Sequence, residues 1–372
     1  MLVLFSLMSG VEKMRKRDIA NIIILILISL AVSIMLDWFG MVLPYLFGAL
    51  ITAVLYTKFI SNDFKYPTWL QSVGLLIIGL EIGSSFRRDS LSELLDDAFN
   101  IVLITILVIL LSIGLAIIFK RLTGSTNETA ILSSIPGALS QMLVMAEEDK
   151  RADLLLVTIT QTSRIILVVV FVPFIASFFT ESNDDPSVVM ESIAPFTTLG
   201  PLSNAIIIVV ALIITYFLSK INFAAPIIIG PVLASVIWNF TTEIDFTMDM
   251  ELMYAAQILF GIKIGIQIRS LITELNTKTM MAMLLHNVLL IIGTLMIVVT
   301  YMMFTTHNFN NLFLSAAPGG IGQIIIVASE MGSDIAMIST YHLFRIFFII
   351  LFVAPLVSWY LKWTRKRAAR DN

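Results

Sequence analysis

The chain has 372 residues, 58% of them hydrophobic and only 13% charged, with a mean hydropathy of +0.96 and a formal net charge of -3. That composition cannot cover a water-facing globule and leaves no room for a sizeable soluble domain, so the chain reads as an integral membrane protein. Scattered basic residues exclude a nucleic-acid-binding face. The lack of cysteine excludes disulfides, thiolate metal sites and cysteine nucleophiles, leaving His286, His307 and His342 as the imidazoles.

Lys13, Arg15, Lys16 and Arg17 precede a first apolar run from about Ile19 to Leu36, which is long enough to span. The short stretch Met1 to Met8 has this cluster on the wrong side for a cleaved leader, so residues 1–18 are expected to stay as a cytoplasmic tail, matched by 363–372. Further apolar runs follow near 39–57, 68–86, 99–119, 129–146, 153–179, 195–219, 223–240, 250–268, 279–304, 312–329 and 335–361. In lipid each must satisfy its own backbone hydrogen bonds, which makes the fold an all-α polytopic membrane protein.

The runs fall into two similar sets, 19–180 and 195–362. One constant offset superimposes Pro44 on Pro226, Gly48 on Gly230, Gly79 on Gly261, Gly83 on Gly265 and Arg87 on Arg269. The same offset lays Pro136-Gly137 and Gln141 on Pro318-Gly319 and Gln323. With one residue lost in a loop, Asp153, Arg164 and Ile165 then meet Asp334, Arg345 and Ile346. Proline, glycine, arginine and glutamine are scarce here, so composition does not explain these matches; the halves are read as duplicated.

If 129–146 and 312–329 dip into the bilayer and return, ten spans remain and, outside the spans, only Arg87 and Arg88 face away from the cytoplasm, as the bias of basic loops towards that side requires. Five spans per half turn the second half upside down relative to the first, giving two inverted repeats, each with about five transmembrane helices plus one re-entrant or broken helix. Both termini are then cytoplasmic. The Pro-Gly pair midway along each dipping run removes a donor and pushes the preceding residue out of the helical region, so a break is expected; the alternative is a kinked continuous helix.

Two breaks would present two short helix N-termini at mid-depth, a setting that attracts anions. Candidate solute-binding residues are Pro136, Gly137, Ser140 and Gln141 in the first half and Pro318, Gly319, Gly320 and Gln323 in the second. Arg164, His342 and Arg345 join them from the helices that follow. The arginines lie about 16 Å along their helices, near the middle of a core about 30 Å thick. They either line a cationic pocket or tie the broken segments' carbonyls together. His342 either exchanges a proton or packs; each glutamine either meets solute or bonds nearby backbone. Glu81 and Lys263 occupy equivalent positions with opposite charge, as a cross-repeat ion pair or as two side chains reaching for the interface.

Ala317-Pro318-Gly319-Gly320 followed by Tyr341-His342-Leu343-Phe344-Arg345, echoed by Pro136-Gly137-Ala138 and Gln161 to Arg164, resembles the AbrB-type integral membrane family. The resemblance runs from about Ile19 to Tyr360. It implies a transporter-like fold akin to cation/proton antiporters and bile-acid-type carriers, distinct from the soluble DNA-binding regulator that shares the label. Similar proteins carry the names ammonia monooxygenase and regulator of gene expression. The chain departs from the family pattern at Ala138, and at Gln141 and Gln323, where many relatives carry an acidic residue in at least one half. A monooxygenase would need several matched metal ligands, and no histidine pair is close in sequence, so no enzyme activity, metal or cofactor is expected. The expectation is a plasma-membrane permease moving a small anionic organic solute by alternating access, with H+ or Na+ as candidate coupling ions. The lipid bilayer is its obligatory partner, self-association is compatible with such a body, and a membrane sensor affecting gene expression without net transport is the alternative.

Overall fold

The computed structural model describes residues 16–60, 66–87, 96–149, 151–179, 194–221, 223, 225–242, 244–274 and 277–368. Lys13, Arg15, Arg88, the acidic stretch 181–191 and the end of the second tail lie outside the described residues. Helices carry nearly everything else: α1 Lys16–Trp38, α2 Pro44–Phe59, α3 Thr68–Ser85, α4 Ala98–Thr123, α5 Asn127–Ser134, α6 Leu139–Glu148, α7 Leu154–Phe178, α8 Pro201–Lys220 and α9 Pro226–Thr242. They continue with α10 Met250–Glu274, α11 Thr277–Tyr301, α12 Phe309–Ala316, α13 Ile321–Glu330, α14 Ile335–Phe348, a π-helical turn Ile349–Val353, and α15 Ala354–Ala368. Two-residue strands, β1 Ala194–Pro195 and β2 Phe246–Thr247, pair in parallel.

Among the described residues seven segments are long and apolar enough to cross a membrane, including Asp18–Trp38, Ala98–Thr123, Leu154–Phe178 and Thr277–Phe304. Of the ten expected spans, the other three are shorter or less apolar: α2 has 16 residues, α9 has 17 and α3 has 18. The reason for two of them is local. Pro44 and Pro226 each start a helix late, and the residue before each, Leu43 (φ 54°) or Ala225 (φ 48°), is held in the left-handed region. Proline disfavours the right-handed helical conformation at the preceding residue, although Pro173 and Pro231 are accommodated inside α7 and α9. Left-handed non-glycine residues cost about 1–3 kcal/mol each, and this pair stands at equivalent positions of the two halves.

The chain forms two compact units, each taking elements from both halves. The first holds α1–α3, α8–α10 and residues 325–336. Its cohesion comes from glycine notches that exchange partners between the halves. A Cβ on Gly79 of α3 would lie 2.7 Å from the Ile228 carbonyl oxygen of α9, while one on Gly261 of α10 would lie 2.5 Å from the Leu46 carbonyl oxygen of α2. Ile228 is the repeat counterpart of Leu46. One turn on, Gly83 meets Val232 and Gly265 meets its counterpart Leu50. Small residues are what allow helix backbones to approach this closely in lipid. Ser235 and Asn239 of α9 then reach across to the carbonyls of Leu80 (3.2 Å) and Ser84 (3.1 Å).

The second unit holds α4–α7, α11, α12, most of α14, the π-helical turn and α15. An apolar cluster of Ile109, Leu132, Met142, Val157, Ile349 and Val353 packs its core. At one end Asp97, 8% exposed, accepts the Tyr341 hydroxyl at 2.6 Å, bonds the His307 ring at 2.9 Å and is joined by Asn100.

Candidate functional site

Both Pro-Gly segments are broken where proline predicts. The first stops as α5 at Ser134, passes through Ile135–Ala138 and restarts as α6 at Leu139; the second stops as α12 at Ala316 and restarts as α13 at Ile321. A kinked continuous helix is therefore ruled out. Pro136 forces Ile135 into extended backbone (ψ 121°), and Gly137 turns the chain at φ +97°, which an L side chain rarely adopts.

Ending a helix inside the protein leaves its last four carbonyls without donors. Two side chains one turn apart on α7 supply them. Gln161 Nε2 donates to Leu132 O (2.8 Å) and Ile135 O (3.0 Å); Arg164 donates to Ser134 O (2.8 Å) and Ile135 O (3.1 Å), with a longer reach to Ser133 O. Gln161 Oε1 in turn accepts from Arg164. The second half repeats the device with a different partner. Arg345 donates to Ala317 O (3.0 Å), Gly319 O (3.2 Å) and Ala316 O (3.3 Å), and His342 Nε2 lies 2.9 Å from Leu314 O.

Arg345 Nη2 donates to His342 Nδ1 at 2.7 Å. A guanidinium has only donors and a carbonyl only accepts, so the imidazole must be neutral with its proton on Nε2. Both ring nitrogens are occupied, and His342 serves as an orienting group for Arg345.

Arg164 and Arg345 are 2% and 3% exposed, and among the described residues no carboxylate pairs with either. Partial negative charge at the ends of α5 and α12 is matched by partial positive charge at the starts of α6 and α13. The two full guanidinium charges therefore remain. Arg345 Nε has no hydrogen-bond partner and lies 3.2 Å from where a Cβ on Gly137 would stand, so this side chain touches both breaks. A Cβ on Gly319 would meet Val168 of α7 at 2.7 Å, and one on Gly137 would meet Val168's repeat counterpart Ile349 at 3.7 Å.

Polar atoms without partners collect around these turns. Ser133 Oγ and Ser315 Oγ, three residues before each proline, are buried and unbonded, as is Gln323 Oε1 in the first turn of α13, whose amide folds back over Gly320. Asn287 of α11, fully buried, donates to Ser163 Oγ at 2.8 Å and leaves its own oxygen unpaired. Pro136 and Pro318 are buried; Gln141 is half-buried and Ser140 exposed. The structure thus gathers Gly137, Arg164, Gly319, Gly320, Gln323, His342 and Arg345 in or beside the two turns. It does not bring Glu81 and Lys263 into this unit. Both belong to the first unit, where no ion pair joins them among the described residues; Glu81 instead accepts the Met248 backbone N–H at 2.9 Å. Ser133, Ser315 and Asn287 escaped the sequence reading. The serines could have been found, since they obey the same offset as the prolines.

A multi-pass α-helical membrane protein with two arginine-tied broken helices is the class that this fold and site define. The chain belongs to the AbrB family: a family model described as transition state regulatory protein AbrB matches residues 45–361. It is similar to the uncharacterized protein YhjN of Bacillus subtilis (strain 168), with 25% identity over 298 residues, 77% of each chain.

Proposed function

We propose that this protein is a permease working by alternating access, and that its solute is a small organic anion held where the two broken helices meet. The observation that carries the reading is the uncompensated buried charge: two guanidiniums that no carboxylate pairs with among the described residues, amid polar atoms that lack partners. A buried cation in lipid costs several kcal/mol on insertion scales unless something neutralises or hydrates it. An anionic solute would do so and would also donate to or accept from Ser133, Ser315 and Gln323.

Proteoliposomes carrying the protein should accumulate at least one member of a panel of mono- and dicarboxylates. Ser133→Ala and Gln323→Leu remove unpaired groups without breaking a hydrogen bond of the structure, and each should cut uptake about tenfold, the equivalent of one lost hydrogen bond to a charged group. Uptake unchanged in both variants would falsify the site. A sensor, the reading that the family's regulatory description favours, would bind a carboxylate without moving it.

The carrier reading rests on inverted halves with both ends cytoplasmic in the plasma membrane, supported by the equivalent breaks and exchanged glycine partners. In a chain without native thiols, Glu148→Cys should react with an impermeant maleimide only from the cytoplasmic side and Thr306→Cys only from outside; both positions are exposed. Labelling of both from one side would rule inversion out.

A further inference from the structure

A groove of about 840 Å³ runs along the second unit between α4, the start of α5 and the segment from the π-helical turn into α15. Ile109, Ile113, Val353 and Leu356 form its walls; Lys120, Arg121, Asn127 and Tyr360 gather at one end. Its opening is flanked by exposed apolar side chains, Leu110, Ile117 and Leu356. Such a rim suits hydrocarbon rather than water. From Ile106 to Lys120 the groove measures about 21 Å at 1.5 Å per helical residue, more than the 15 Å or so of one leaflet's hydrocarbon.

We propose that this groove is a binding site for an anionic phospholipid, with the acyl chains along α4 and the phosphate between Lys120 and Arg121. Among the described residues neither cation has an ion-pair partner. The repeat counterpart shows what is specific here. The equivalents of Lys120 and Arg121 are Met302 and Met303, and the equivalent of the π-helical turn, Val168–Val172, stays α-helical. Loop charge bias alone would account for the two cations, but not for the widened turn whose last residue, Val353, lines the opposite wall beside Leu356 and Val357 of α15. Single π turns inside α-helices often mark functional positions. A second copy of this chain is a poorer occupant, because an apolar partner face would bury two cations without compensation.

The full-length protein, purified in detergent and mixed with phosphatidylglycerol or phosphatidylcholine, should retain a single phosphatidylglycerol in native mass spectrometry and release phosphatidylcholine. Lys120→Gln with Arg121→Gln, both at exposed positions, should weaken that retention about thirty-fold. Ile113→Trp, which fills the groove with the cations intact, should abolish it. Should that variant fail to fold, the double glutamine variant decides alone. Equal retention of both lipids, retention unchanged in the double glutamine variant, or a mass of two chains that disappears in Ile113→Trp would each overturn the proposal.

Discussion

Replacing Arg345 with alanine is expected to destabilise the protein by about 3–5 kcal/mol, the usual consequence of removing one member of a buried charged network. The cause is specific. The carbonyls of Ala316, Ala317 and Gly319 and the His342 Nδ1 all lose their donor at once, at a helix end buried among packed side chains. Native stabilities are about 5–15 kcal/mol, so the loss is a large share of the total. Thermal unfolding in detergent should show a midpoint lowered by about 10 °C. Lysine at the same place keeps the charge but not the planar fork, and should fall between the two. A variant within about 0.5 kcal/mol of the parent would mean that the second break does not depend on its arginine.

Gly83→Ala should be nearly as damaging although it adds one methyl group. The new Cβ would stand 2.6 Å from the Ser235 Cβ and 2.9 Å from the Val232 Cα, and backbone atoms cannot swing aside. α3 and α9 would have to separate, loosening the Ser235 and Asn239 bonds to the carbonyls of α3. Overpacking of about 1–3 kcal/mol and the weakening of bonds worth about 1 kcal/mol each give a loss of about 3 kcal/mol. Gly114 in the middle of α4 supplies the control. Nothing lies within 4 Å of a Cβ there, so Gly114→Ala should stabilise by about 0.5–1 kcal/mol through helix propensity alone. Equal midpoints for the Gly83 and Gly114 variants would refute the account of the notches.

The positions of the helices and breaks were readable in the amino-acid order because they depend on local chemistry. Apolar runs of spanning length must be helical in lipid, and Pro136-Gly137 and Pro318-Gly319 cannot continue a helix. Gly79 and Gly83 could be recognised as packing positions from their spacing, but not the carbonyls they face. That the arginines tie the carbonyls of the broken segments was one of two readings open from the sequence, but the particular carbonyls and the part played by Gln161 were hidden, because they belong to chain segments 26 to 31 residues away. For Glu81 and Lys263 the equivalent positions left two readings open, an ion pair or two side chains reaching for the interface; among the described residues no ion pair joins them, and a backbone N–H satisfies the carboxylate. Pro44 and Pro226 mark a helix start, but neither residue type nor apolar pattern announces the left-handed conformation of Leu43 and Ala225 or the π-helical turn.

The exchanged glycine notches bear on how the molecule is made. Gly79 and Gly83 leave the ribosome about 150 residues before Ile228 and Val232, which at 5–20 residues per second is a wait on the order of ten seconds. Through that interval the nascent first half carries two vacant notches on α3 that the later half fills, so biosynthesis of this protein is a matter of keeping an unfinished surface from the wrong neighbours.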